Sequence, residues 1–184
     1  MYSYSYGKEE GVKTSVLALA LIAVLAAGIL IGLNMTGQLP AGSEVIDAPL
    51  GDIPQLSTDG FDEVSVSVEP AVIHLASGCS RLDMATNELQ TYYIEMGLNK
   101  ARDVRPLTHD LVQDIVETFE IKPLMVKIES FSEGVYFAKL LLRHGNRILN
   151  MDSKPSDAIA IAIRIGAPVY VNRTLMEEYG EKFC

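Results

Sequence analysis

The sequence predicts an α+β domain, a mixed sheet with an antiparallel meander packed against helices, preceded by a single N-terminal transmembrane helix. Three observations carry that expectation. An uncharged apolar run, Ser15 to Leu33, is long enough to cross a hydrocarbon core as a helix. Residues 64–75 and 123–152 fall into strand-like runs separated by turn signals. Residues 86–97, 108–119 and 155–166 instead show the starts, apolar spacings and stops of helices.

Residues 1–14 read as a cytoplasmic tail, because Lys8 and Lys13 precede the span and the next basic residue is Arg81. The span, 15–33, then places the rest of the chain outside as a single-pass membrane protein. Ala26-Ala27-Gly28 resembles a signal-peptidase site, but the apolar run continues past it to Leu33, which favours a retained anchor. Gly28 and Gly32 form a GxxxG that can pack two anchors or simply face lipid. Residues 34–60 carry Gly, Pro, Ser and Asp without periodicity and read as a linker; the folded domain is expected over 61–184.

Within that domain, Val64, Val66 and Val68 alternate with serines, break at Pro70 and resume with Val72, Ile73 and Leu75, which predicts two strands. A helix follows, with Thr86 as cap, Leu89, Tyr92, Tyr93 and Met96 at helical spacing, and Gly97 as stop. A second helix is capped by Thr108 and places Leu111, Val112, Ile115, Val116 and Phe119 on one face. The segments around "PLMVKIES", "GVYFAKLLLR" and "NRILNMD" are joined by turn signals of hairpin length and predict a three-stranded antiparallel meander. In "DSKPSDAIAIAIRIGAPVYV", Pro155 suits a first helical turn, Asp157 complements the helix dipole, and Gly166 with Pro168 ends the helix before a strand. Its alanines permit close approach of neighbours, so this helix is expected at the centre of the core.

The formal net charge of −9 opposes long-range attraction to phosphate backbones, so nucleic-acid binding needs a local basic cleft or a cation. Arg143, His144 and Arg147, with Lys139, form the compact basic cluster. Cys79 and Cys184 are too few for a disulfide framework and lack zinc-ligand spacing. Two N-x-T sequons, at Asn34 and Asn172, read as chance matches. No nucleophile elbow, Walker loop, HExxH or dinucleotide fingerprint is present.

Polar residues gather at helix entries: Glu88 at the first, Thr108, His109 and Asp110 at the second, and Asp152, Lys154, Ser156 and Asp157 at the third. If the entries converge, Asp110, Asp152 and Asp157 can hold Mg2+ or Mn2+, and His109 can move a proton in phosphodiester hydrolysis. Capping and helix-dipole chemistry explain Thr108, Asp110, Ser156 and Asp157 equally directly. Arg164 can contact phosphate, but it stands near the helix C-terminus, where a cation is also favoured.

"RPLTHDLV", followed about forty residues later by "DSKPSDAIAIAIRIGAPVYV", resembles the bifunctional nuclease domain family over about Val64 to Glu178. Before these motifs the likeness is looser, with Glu88 alone at a matching place. The resemblance implies a compact α+β domain, often a homo-oligomer such as a dimer, and hydrolase activity on DNA and RNA. It assigns His109, Asp110, Asp152 and Asp157 as catalytic candidates and Thr108, Lys154, Ser156 and Arg164 as substrate-binding candidates. The competing expectation is a noncatalytic, membrane-tethered module for protein interaction or regulation.

Overall fold

The computed structural model describes residues 42–47 and 53–184. The described residues all belong to one compact unit, Gly42–Cys184. The expected tail, membrane span and first part of the linker lie outside the described residues. Among the described residues, no helix is long and apolar enough to cross a membrane.

The chain runs β1 (Glu44–Asp47), β2 (Phe61–Glu63), β3 (Ser65–Glu69), β4 (Val72–Ser77) and β5 (Ser80–Ala85), then α1 (Glu88–Leu98) and α2 (Thr108–Thr118). It continues through β6 (Lys122–Ser132), β7 (Val135–His144), β8 (Arg147–Ser153), α3 (Pro155–Ile165), β9 (Val169–Asn172), α4 (Arg173–Tyr179) and β10 (Glu181–Lys182). A six-stranded sheet has the order β1-β8-β7-β6-β9-β2, and a four-stranded sheet the order β10-β5-β4-β3. The larger sheet is mixed because β9 returns from α3 parallel to β6, while its other pairs are antiparallel. The α+β class and the β6-β7-β8 meander thus agree with the sequence. Glu133 and Gly134, at φ of 52° and 80°, make the tight turn between β6 and β7.

The alternating Ala-Ile segment forms α3 and organises the core. Pro155 occupies its first turn, and Gly166 closes it in the left-handed region at φ 73°, its N–H donating to the Ala162 carbonyl. Ala158, Ile159, Ala160 and Ala162 are buried. This helix touches β6 and β7 of the larger sheet and also α1 and α2; α1 in turn touches β3 and β4. Burial of Ile159, fully enclosed, is worth about 1.5–3 kcal/mol on its own.

Several local expectations need correction. Asn87, not Thr86, caps α1, its side chain accepting from the Gln90 N–H. Thr108 is the first residue of α2 rather than its cap, and Asp110 reaches back to accept from the Leu107 N–H at 2.8 Å. Of the predicted α2 face, Val116 is buried, whereas Leu111, Ile115 and Phe119 are more than half exposed, at 52%, 52% and 64%. The cause is position: α2 packs chiefly on α3, and Phe119 beyond its end opens onto a cavity shared with Val45, Ile121 and Leu149.

Segments that carry weak periodicity also fold. Glu44–Asp47, inside the stretch read as a linker, pairs with β8. The Ser80–Ala85 strand follows a Gly78 turn and pairs with β4. Beyond β9, Cys79 and Cys184 form a disulfide between residues 105 apart, with Cα atoms 5.3 Å from each other. That bond holds the C-terminus beside β5, where β10 pairs with Ser80 and Arg81.

Candidate functional site

The candidate residues do not converge on one point; the structure sorts them into three places along α3. At its entry, Asp152, Lys154 and Ser156 line a groove of about 370 Å³ whose other walls include Ile73, Met84, Val135, Tyr136 and Phe137. β8 delivers Asp152, and the bend before Pro155 delivers Lys154. Asp152 is held 3.2 Å from Lys139 on the neighbouring strand β7. Ser156 is 5% exposed, and its Oγ has no hydrogen-bond partner among the described residues. An unpaired hydroxyl in the first turn of a helix, beside a lysine, is arranged to meet a negatively charged ligand.

The second place is the contact between α2 and α3. His109 is 7% exposed; its Nε2 lies 3.5 Å from Asp157 Oδ1, and its ring packs 5.2 Å from that of Tyr93. Its Nδ1 is buried without a partner among the described residues. Asp157 remains half exposed. Neither residue lines the groove at the α3 entry. Thr108 is exposed at the start of α2.

The third place is interior. Asp110 Oδ1 accepts from Arg164 Nε at 2.7 Å, the two side chains being 1% and 3% exposed. Arg164 Nη1 also donates to the carbonyls of Tyr93 and Ala160, so one guanidinium ties α1, α2 and α3 together. Burial pushes the Asp110 carboxyl up, but the hydrogen bonds from Arg164 and from the Leu107 N–H more than offset it and hold the group below the usual carboxylate range. Arg164 therefore serves these three helices rather than the dipole of its own.

This arrangement does not fit the expected divalent-cation site. Among the described residues, no three His, Cys, Asp or Glu side chains gather as a metal-binding group. Asp110 is engaged by Arg164, Asp152 by Lys139, and Asp157 faces His109. The Mg2+ or Mn2+ ligand set of Asp110, Asp152 and Asp157 is thus not assembled, because the three acids come from α2, β8 and α3 and each faces a different basic partner.

Of the basic cluster, Arg143, His144 and Arg147 stand together at the β7–β8 turn, where Arg147 pairs with Asp47 of β1 and Arg143 donates to the Gly145 carbonyl, while Lys139 lies farther along β7, paired with Asp152. Glu88 lines a different cavity, with Glu69 and Thr91. Sequence reasoning missed Glu129 of β6, whose carboxyl burial pushes up, with Lys139 and Lys127 opposing the rise. It also missed Lys127, 4% exposed, which donates to the carbonyls of Gln55 and Ser57. The available signal was two charged side chains inside the otherwise apolar run "MVKIES".

Comparison with known proteins bears on this arrangement. Residues 71–183 match the bifunctional nuclease domain. An uncharacterized protein of Mycobacterium tuberculosis is 36% identical over 76 residues, covering 41% of this chain and 44% of that protein. Bifunctional nuclease 1 of Oryza sativa subsp. japonica is 30% identical over 104 residues, 55% of this chain and 31% of the rice protein. Bifunctional nuclease 2 of Arabidopsis thaliana is 29% identical over 91 residues, 48% of this chain and 28% of the plant protein. The chain thus aligns with less than half the length of these relatives. The matched region begins just before β4 and ends at β10, so it includes α1, α2, the meander and all of α3, and with this fold beneath it the chain belongs to the bifunctional nuclease domain family.

Proposed function

We propose that the domain binds nucleic acid at the α3 entry and hydrolyses its phosphodiester bonds. The observation that carries this reading is the buried, unpartnered Ser156 hydroxyl in a groove shared with Lys154 and Asp152. Family membership and the nuclease names of the plant relatives support it. In this reading Ser156 and the first turn of α3 receive a phosphate oxygen, Lys154 supplies the countercharge, and the apolar and aromatic walls accept a base or sugar face. Asp152, the carboxylate on the groove wall, takes a proton from water as the water oxygen bonds phosphorus and the P–O ester bond breaks, the leaving oxygen taking its proton from solvent, while Lys139 fixes the orientation of Asp152. His109 and Asp157 brace α2 against α3 beside this entry.

We also place the protein at a membrane through residues 15–33, with this domain outside. The Cys79–Cys184 disulfide supports that placement, because such bonds persist in oxidising compartments. A second reading, a tethered interaction module that self-associates, draws support from the exposed Leu111, Ile115 and Phe119 stripe of α2.

The deciding experiment incubates the purified protein with single-stranded DNA and with RNA, in Mg2+, Mn2+ or EDTA. Lys154→Ala, Ser156→Ala and Asp152→Asn are compared after thermal melting has established that each folds. Cleavage that these variants lose supports the nuclease reading. An inert wild type, or folded variants that cleave equally well, leaves the interaction module as the better account.

A further inference from the structure

We propose that a second cavity, near the C-terminal end of α3, binds an oxyanion of the phosphate class. The cavity holds about 210 Å³ and is lined by Gly97, Lys100, Arg102, Asp110, Gln113 and Arg164, among others. Ser156 and Arg164 lie eight positions apart on one helix, about 12 Å along its axis, so this cavity is distinct from the entry groove. No lining residue is shared between the two.

The strongest sign of a ligand is Arg164 itself. Its Nε is taken by Asp110 and its Nη1 by the carbonyls of Tyr93 and Ala160, while Nη2 is buried with no partner among the described residues. A guanidinium carries five donors in a fixed plane and no acceptor, so what completes it must be an acceptor. Asp110 does not complete it: its Oδ1 accepts from Arg164 Nε and its Oδ2 from the Leu107 N–H, and neither bonds Nη2.

Charge points the same way. Among the charged side chains that line the cavity, Lys100, Arg102 and Arg164 face Asp110 alone, while Asp114 and Glu117 act on Arg102 from outside it. Arg102 is oriented rather than loose, with Nη2 2.7 Å from Asp114 Oδ1 and 3.3 Å from Gln113 Oε1. The carbonyls at the end of α1 do not compete for an anion's place: Glu95 and Gly97 accept from Asn99 and Lys100, and Met96 from Ala101. Donor side chains from α3 (Arg164), from α2 (Gln113) and from the loop after α1 (Lys100, Arg102) line one space. A tetrahedral oxyanion, with acceptors on every side, matches that geometry better than a planar carboxylate. Gly97 keeps the approach open, since a Cβ there would stand 2.8 Å from Arg164 Nη1.

The same chemistry is offered by inorganic phosphate and by the terminal phosphate of a nucleic-acid strand. The test is calorimetric titration of inorganic phosphate into the full-length protein carrying Lys154→Ala and Ser156→Ala, which disables the entry groove. Binding is expected to persist in that background and to weaken roughly tenfold or more when Lys100→Gln and Arg102→Gln are added. Both added substitutions are at exposed positions, so folding is not at stake. Absence of phosphate binding in the first background, or unchanged affinity in the second, overturns the proposal. A 5′-phosphorylated dinucleotide that displaces phosphate assigns the site to strand ends, and failure to displace assigns it to the free ion; either result requires the site to exist. Because cleavage is not the readout, the outcome is separate from the nuclease reading.

Discussion

Replacing Arg164 with Met removes the group that ties α1, α2 and α3 and leaves Asp110 ionised, 1% exposed and without its 2.7 Å partner. Breaking a buried pair from one side costs about 3–5 kcal/mol, because the remaining charge is neither solvated nor compensated. The Tyr93 carbonyl also loses its donor from this side chain. At roughly 3 °C per kcal/mol for a domain of this size, Tm should fall by about 10–15 °C. Asp110→Leu alone should cost a similar amount, and the double variant much less than the sum, with a coupling of roughly 2–3 kcal/mol. The pair also contributes to the acid limb of stability, beside Asp83, whose carboxyl, against the upward push of burial, His74 and Arg81 hold low. Asp110 titrates lower in the folded chain than unfolded, so its contribution is complete above the ordinary carboxylate value, about 3.9, and is lost as pH falls through its depressed folded value. Arg164→Met should flatten that limb. Thermal melting across a pH series with the three variants measures both effects. Single-variant costs that simply add, within about 0.5 kcal/mol, would show that the two side chains are not energetically coupled and would refute the reasoning.

Gly97→Ala should destabilise the fold by roughly 1–3 kcal/mol, since the new methyl would sit 2.8 Å from Arg164 Nη1 and 3.3 Å from Ile163 Cγ2; a melting temperature equal to wild type would mean that α1 can retreat freely. Cys79→Ser should cost about 2–5 kcal/mol, because the bond closes a segment of 105 residues, and the same loss should follow from adding reductant to the wild type in a denaturant melt.

The sequence made the helical centre legible because α3 combines Pro155 at its start, Gly166 at its end and a composition that only a buried helix tolerates. The meander was legible for the same reason, with Gly134 and Gly145 marking both turns. β5 was not, since the alternation in "SRLDMA" rests on two apolar residues alone, Leu82 and Met84, which are buried while Asp83 and Ala85 face out, and its place is completed by pairing with β4 and β10. β1 was hidden inside a polar stretch, because an edge strand needs only ladder partners. The site was half legible. Asp152, Lys154 and Ser156 do share a groove, but their fellow candidates His109, Asp110 and Asp157 face elsewhere. A helix turns 100° per residue, so adjacent letters in "PSDA" point in different directions. Capping preference and catalytic preference also select the same residue types, and spacing alone does not separate them.

Ser156 gives a way to separate them. Were it present only to stabilise α3, its hydroxyl would cap the helix or bond to a neighbour, and removing it would cost about 1 kcal/mol. Instead Lys154 is the cap position, no side-chain capping bond is made, and the buried Oγ has no partner among the described residues. An unsatisfied buried hydroxyl is a net liability, and replacing it with a methyl-sized side chain relieves it. Ser156→Ala should therefore leave Tm unchanged or raise it, by up to about 1 kcal/mol in stability, while weakening nucleic-acid binding and slowing cleavage. That opposition of sign is the signature of a group kept for a ligand, since stability and activity otherwise fall together when a core position is damaged. Melting and a fluorescence-anisotropy titration with a labelled single-stranded oligonucleotide, on the same preparations, measure both sides. A lower Tm with unchanged binding would return Ser156 to a purely structural role and remove the main support for the groove as the site.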